Sequence, residues 1–190
     1  MSAFKDWLIT FGMIIIKPVP DTFLEESKKA KGKLPGVIAW VVFATCIAHL
    51  SIYLNFHYVY SLGTIILTII VFPVILLFFV FCVHRLYQRS FHRNKDYYQE
   101  LLYIMVGIFV PIFGIMSSLI SLIPQIGEAF SIILSVYSVF LAIIAVKAIT
   151  KLKLWQAGVS VVVGFVLAAA GVLVIPAILL SLMSTIPRVF

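Results

Sequence analysis

Long apolar stretches separated by short polar clusters run through almost the whole sequence. Five of them approach or exceed the roughly 20 residues that a helix needs to cross a bilayer, and none alternates like a barrel strand. We therefore predict an all-α integral membrane protein with an N-terminal segment at residues 1–35 and a membrane domain at residues 36–190. The five predicted transmembrane helices lie at residues 37–56, 62–83, 101–123, 129–149 and 157–183.

The N-terminal segment contains a shorter apolar run, from Trp7 to Ile16, that is too short to span a bilayer. At about 100° per residue its apolar side chains fall on one face, which predicts a short amphipathic helix lying in the membrane interface. A short packed or frayed helix is the alternative. The predicted apolar face consists of Phe4, Trp7, Leu8, Phe11 and Ile15, and the polar face of Lys5, Asp6, Thr10 and Lys17. Farther on, Thr22 and Glu25 have capping-box spacing, which predicts the start of a second short helix.

The positions of the basic residues predict the orientation of the chain. Thirteen of the 14 Lys and Arg residues lie before the first span, between spans two and three, or around the connection between spans four and five. Only Arg188 follows the last span. Because basic residues collect on the cytoplasmic side, we predict a cytoplasmic N-terminus and an external C-terminus.

Composition agrees with a membrane location and argues against a nucleic-acid partner. The chain is 63% hydrophobic and 11% charged, whereas an ordinary soluble domain has about 25% charged residues. The net charge of +7 comes from basic residues beside the spans, where they meet anionic lipid headgroups. We therefore expect the bilayer and its anionic lipids as partners, and no nucleic acid.

Sequence motifs for catalysis are missing. The chain has no Gly-x-Ser-x-Gly, no Gly-rich phosphate loop and no His-Glu-x-x-His, and Cys46 and Cys82 lie in separate apolar stretches. We therefore predict no catalytic residue, no metal site and no cofactor, and expect that the protein is not an enzyme. His49 is the one ionisable side chain well inside a span, which makes it a candidate intramembrane polar site. A structural histidine, hydrogen-bonded near Thr45, is favoured over a proton relay.

A basic strip is predicted at the cytoplasmic end of the second span. Arg85, Arg89 and Arg93 are spaced by four residues, so a continued helix would place them on one face. Binding of anionic lipid headgroups is the functional interpretation. Ordinary anchoring of the span by positive charge explains the same residues.

Small residues recur at helical spacing in spans three, four and five, and such stripes let helices approach closely in a bilayer. They predict a core of these three spans, with span two facing more lipid. Pro73, Pro111 and Pro176 each remove one main-chain hydrogen bond, and a neighbour or a Ser is expected to satisfy any freed carbonyl. The stripes consist of Gly107, Gly114, Ser118 and Ser121; Ser131, Ser135, Ser138, Ala142 and Ala145; and Ser160, Gly164, Ala168 and Gly171.

The layout resembles the Yip family of membrane proteins over residues 18–185. The similarity consists of Pro20-Asp21-Thr22-Phe23 before five spans, Tyr97 and Tyr103 leading to Pro111, and Trp155-Gln156-Ala157 after a basic patch. Eukaryotic members are trafficking proteins of the Golgi and endoplasmic reticulum that associate with Rab GTPases and with one another. This chain lacks the family's Asp-Leu-Tyr-Gly-Pro motif, and its short N-terminal segment resembles the prokaryotic branch. The resemblance therefore implies that the protein is located in the bacterial cytoplasmic (inner) membrane.

These observations predict a non-enzymatic, multi-pass membrane protein that acts through protein and lipid interactions, as a scaffold for membrane organisation or trafficking. Its expected partners are lipids, other membrane proteins or a second copy of the chain. Two alternatives remain open: a small transporter or channel subunit, and an accessory subunit of a larger membrane complex.

Overall fold

A computed structural model describes residues 2–30, 32–56, 62–92, 95–123 and 127–185. Within these ranges the chain is almost entirely helical and forms no strand, which confirms the predicted all-α fold. A 3₁₀ turn, Lys28–Ala30, follows the second helix. The helices are α1 Ser2–Ile16, α2 Pro20–Ser27, α3 Leu34–Phe56, α4 Leu62–Ser90, α5 Tyr98–Ile120, α6 Gly127–Thr150 and α7 Leu154–Thr185.

Four segments in α4 to α7 are long and apolar enough to cross a membrane. The fifth apolar helix, α3, has 23 residues and therefore a length of about 35 Å at the α-helical rise. Its segment Pro35–Ser51 qualifies as a span only together with Pro20–Ala30, from which it is bent by 110°. The described chain thus has four spans, or five when α3 is included, preceded by two short helices.

The basic segments gather at one end of the helix bundle. The ammonium group of Lys33, just before α3, lies 5.6 Å from the centre of the Tyr103 ring near the start of α5. At the same end, the Phe91 ring after α4 packs edge to face on Trp155 near the start of α7, with 5.9 Å between ring centres. The start of α3, the end of α4 and the starts of α5 and α7 therefore share one side, here called the basic end.

The pairing of the spans differs from the predicted core of spans three to five. Among the four segments that qualify as spans, α5 is the most buried, as expected for a central helix. Its main neighbours, however, are α3 and α6, whereas α7 packs most extensively against α4. The prediction that span two faces more lipid than spans three to five is therefore wrong, since the α4 segment is as buried as that of α7 and more buried than that of α6. Small residues permit close approach, but they do not select which helix approaches.

Gly164 shows why α4 and α7 fit closely. A Cβ atom added at Gly164 would lie 2.6 Å from Cγ2 of Val83 and 3.4 Å from Cε2 of Phe79, both on α4. Gly107 likewise permits close packing of α5 against α3, where an added Cβ would lie 2.7 Å from Cγ2 of Val37. In both places the missing side chain brings two helices together.

Helix α1 packs on the protein with a different face from the predicted one. Trp7, Thr10 and Ile14 are buried, although Thr10 was expected on the polar, outward face. The Thr10 hydroxyl donates to the buried carboxylate of Glu26 at 2.5 Å, and Lys29 donates to the same carboxylate oxygen at 2.6 Å. Burial of Thr10 is favourable because Glu26 accepts its hydrogen bond. The exposed side of α1 is apolar and includes Leu8, Ile9, Met13 and Ile16.

The predicted capping box at Thr22 is wrong. Helix α2 begins at Pro20, with Val19 as its N-cap and no side-chain capping bond. Proline is well suited to the first helical position because it lacks the N–H group that would have no partner there. Thr22 is instead buried within α2, which packs against α6.

Trp7 connects α1 to the central span through a carbonyl that Pro111 leaves free. In a regular helix the N–H of residue 111 donates to the carbonyl of residue 107, but proline has no N–H. The Trp7 indole N–H donates to the Gly107 carbonyl at 2.9 Å. A π-helical segment, Leu102–Phe109, precedes Pro111. A neighbouring helix thus donates to a carbonyl one turn before the proline, the kind of contact that was predicted for interrupted spans.

We expect Gly164→Ala to lower the thermal stability of the detergent-solubilised protein, because the new methyl group collides with Val83 on α4. Overpacking of this kind costs about 1–3 kcal/mol. Gly158→Ala is the matched control, since an added Cβ at this α7 position meets no atom within 4 Å. The measurement is the unfolding midpoint, and equal midpoints for the two variants would contradict the close α4–α7 contact.

We expect Trp7→Phe to loosen α1, because phenylalanine keeps an aromatic ring against Trp40 but leaves the buried Gly107 carbonyl without its indole donor. A buried acceptor left unsatisfied costs roughly 1–3 kcal/mol. The measurement is amide hydrogen exchange over α1, which should become faster. Trp155→Phe is the control, since Trp155 is exposed on α7. Unchanged exchange in Trp7→Phe would show that the indole bond does not hold α1.

Candidate functional site

One face of α4 is exposed along its length and changes from apolar to basic near the basic end. Its exposed apolar residues recur at helical spacing and are followed by Arg85 and Arg89, also exposed. We call this face the α4 stripe. In a bilayer its apolar part contacts acyl chains, and its arginines lie where the hydrocarbon gives way to headgroups. The apolar members of the stripe are Ile66, Ile70, Val74, Phe78 and Phe81.

Arg85 is held against the stripe by an aromatic ring. Its guanidinium carbon lies 5.1 Å from the centre of the Phe81 ring, one turn earlier on α4. Such a cation–π contact orients the charge without neutralising it. Arg85 and Arg89 thus share one face, as predicted. Helix α4 ends at Ser90, and Arg93 lies outside the described residues.

The connection between α4 and α5 is organised by Tyr87, a fully buried residue on α4. Its hydroxyl donates to the Lys95 carbonyl and accepts a hydrogen bond from the Tyr97 N–H at 3.1 Å. One buried hydroxyl therefore binds two main-chain groups of the connection. This arrangement fixes the start of α5 relative to the end of α4 that carries Arg85 and Arg89.

His84 reinforces the same connection. Its Nε2 atom lies 3.6 Å from Oδ1 of Asp96, and its ring packs edge to face on Tyr87 and Tyr98. The same Asp96 oxygen accepts a hydrogen bond from the Tyr98 N–H at 2.9 Å. His84 was not singled out from the sequence. In the sequence, a histidine beside arginines at the end of an apolar run indicates only that the span is anchored at the membrane surface. The contact between His84 and Asp96 depends on the fold.

His49, the predicted intramembrane polar site, is half-buried on α3. Thr45, one turn earlier, donates its hydroxyl to the Val41 carbonyl at 2.8 Å, so that proton is not directed at His49. Across the described residues, no three His, Cys, Asp or Glu side chains are grouped to hold a metal ion. The structural role of His49 stays a prediction.

A cavity of about 850 Å³ lies among α4, α5, α6 and α7. Its wall is overwhelmingly apolar, with aromatic rings from three of the helices. Phe72 and Phe79 contribute from α4, Phe109 and Phe113 from α5, and Phe165 from α7. The hydropathy pattern does not predict this cavity, because an apolar residue beside a cavity has the same hydropathy as one packed against a neighbour.

No protein-family model matches the chain, and neither a curated protein nor a solved structure matches it. The α4 stripe with its two arginines and the apolar cavity are therefore the features from which a function is inferred.

Proposed function

We propose that this chain is a non-enzymatic, multi-pass membrane protein that acts through lipid and protein interactions, and that Arg85 and Arg89 bind anionic lipid headgroups. The observation that carries the proposal is the α4 stripe. A lipid lying along it places its acyl chain on exposed residues such as Val74 and Phe78 and its headgroup at the two arginines. Guanidinium groups bind phosphate oxygens through paired, charge-assisted hydrogen bonds.

The orientation belongs to the same proposal. The basic end is cytoplasmic, because it collects the described Lys and Arg residues that precede α3, follow α4 and precede α7. Anionic lipids give the cytoplasmic leaflet a negative surface potential, which attracts these side chains. We place the protein in a bacterial cytoplasmic membrane and assign it a role in membrane organisation, on the basis of its Yip-like layout.

Interaction with other membrane proteins rests on a separate feature, helix α1. The buried face of α1 is fixed to the protein by Trp7 and Thr10, so its exposed apolar side chains are held outward at the basic end. An apolar face fixed outward in this way suits a lipid surface or a partner helix. Transport of a polar solute has less support, since the wall of the large cavity is apolar.

We expect the double variant Arg85→Gln/Arg89→Gln to lose preference for anionic lipid, because each basic residue near a membrane surface contributes about 1 kcal/mol. This corresponds to roughly a fivefold loss per arginine in the ratio of bound anionic to zwitterionic lipid. The ratio is measured by native mass spectrometry after release from nanodiscs containing equal amounts of phosphatidylglycerol and phosphatidylcholine.

The matched control for this experiment is Lys151→Gln/Lys153→Gln, which removes the same charge from exposed residues between α6 and α7. It should retain most of the anionic preference. An equal loss in both double variants would show that the total charge of the basic end matters and that the α4 stripe is not a specific site.

We expect a cytoplasmic N-terminus and an external C-terminus, because thirteen of the 14 basic residues lie on the side of the N-terminal segment. Alkaline phosphatase is active only outside the cytoplasm, and green fluorescent protein exported through the general pathway does not fluoresce. Fused after Phe190, the phosphatase should be active and the fluorescent protein dark. Fusions after His92 should give the reverse pattern, and fluorescence at Phe190 would refute the orientation.

A further inference from the structure

The large cavity lies at the depth of the bilayer core. On α5 its wall runs from Met105 to Ser117, twelve residues along one helix, which corresponds to about 18 Å. This length is more than half of the roughly 30 Å hydrocarbon thickness of a bilayer. The four helices around the cavity are the four whose segments qualify as membrane spans. A ligand in this cavity therefore lies at the same depth as the hydrocarbon chains of the bilayer.

Two of the three serines in the wall do not require a polar ligand. Ser135 donates to the Ser131 carbonyl at 2.8 Å, and Ser138 donates to the Ser135 carbonyl at 2.7 Å, both within α6. A serine that donates to its own helix has no hydroxyl proton left to offer a ligand. Apart from the third serine, Ser117, the rest of the wall is apolar, an environment that suits a hydrocarbon.

The rim of the cavity joins the surface that faces lipid. Phe72 on α4, Val139 on α6 and Phe165 on α7 line the cavity and are also exposed. Continuity between the wall and exposed apolar residues gives a lipid tail a path from the bilayer. The volume also lies within the roughly 300–1,000 Å³ range of small-molecule sites.

The surroundings of the cavity favour a lipid tail over a helix from a second copy. Acyl chains of the bilayer surround its exposed rim, and a flexible chain adapts to a wall formed by four helices. A protein helix is rigid and about 10–12 Å across, so it would have to match that wall in shape.

We propose that this cavity binds the hydrocarbon tail of a membrane lipid. The inference rests on the proposed lipid-interacting function and extends it from the headgroup at α4 to a tail site inside the bundle. Contact with Phe79, Phe109 and Phe113 provides the dispersion attraction that an empty cavity would forfeit. The bound tail also separates α5 from α7, two helices whose mutual contacts in the described structure are few.

Photolabelling tests the proposal on the full chain. The probe is phosphatidylcholine with a diazirine in its acyl chain, reconstituted with the protein in vesicles, irradiated and mapped by mass spectrometry. A tail in the cavity should label α5 between Met105 and Ser117, because this stretch lines the cavity and belongs to the most buried of the four segments. Labelling confined to exposed residues on other helices would overturn the proposal.

Two variants that fill the cavity and one control sharpen the result. Ala142→Phe places a ring in the buried wall, and Val139→Trp fills the exposed rim. If the buried phenylalanine of Ala142→Phe prevents folding, Val139→Trp still tests the site. Each should reduce labelling of α5 at least fivefold. Val136→Phe, at an exposed position of α6 outside the lining, should leave it unchanged. Full labelling of α5 in both cavity variants would refute the site.

The use of a zwitterionic probe separates this inference from the headgroup proposal. The variant Arg85→Gln/Arg89→Gln should lose the anionic preference but keep the labelling of α5. This result would support two independent lipid sites. Absence of α5 labelling in a protein that keeps its anionic preference overturns the tail site alone. Labelling of α5 that rises as the protein is diluted in lipid would show that a second copy, not lipid, occupies the cavity.

Discussion

The absence of water from the bilayer core makes main-chain hydrogen bonding the main constraint on this fold, since each unsatisfied group there costs several kcal/mol. Pro111 in the central span breaks the helical pattern, and the indole of Trp7 bonds the Gly107 carbonyl that proline leaves free. This bond joins the N-terminal segment to the most buried of the four qualifying spans. Phe23 on α2 adds an edge-to-face contact with Phe109, with 6.0 Å between ring centres. Helices α1 and α2 are therefore part of the folded unit.

Small residues have two opposite effects in this bundle. At Gly164 the missing side chain admits Val83 and brings α7 against α4. At Ser135 and Ser138 the small side chains bond their own helix and leave space, which becomes the wall of the cavity. The difference arises from how closely the neighbouring helix approaches, because α4 lies against Gly164, whereas the helices around Ser135 and Ser138 enclose a cavity. Close packing and a cavity thus both occur at small residues.

This dependence on neighbours also explains which features follow from the sequence. Hydropathy over 20 residues determines whether a stretch enters the bilayer, so the all-α class and the apolar helices were predictable. The spacing of Arg85 and Arg89 defines a shared face on any helix, so that surface was predictable as well. The partner of α7, the inward face of α1 and the cavity depend on shape complementarity among separate helices. A single sequence contains no direct signal for such pairings, whereas Pro111 does indicate that a carbonyl near residue 107 needs a donor.

Helix α4 separates the two proposed lipid contacts. Leu76 lines the cavity, and Arg85 lies nine residues later, which is about two and a half helical turns. The two side chains therefore project from opposite faces of α4. A lipid whose headgroup is bound at Arg85 extends its tail along exposed residues such as Val74, away from the cavity. The proposed headgroup selection and the proposed occupancy of the cavity would consequently involve different lipid molecules, one on the outside of the bundle and one within it, with α4 contacting both.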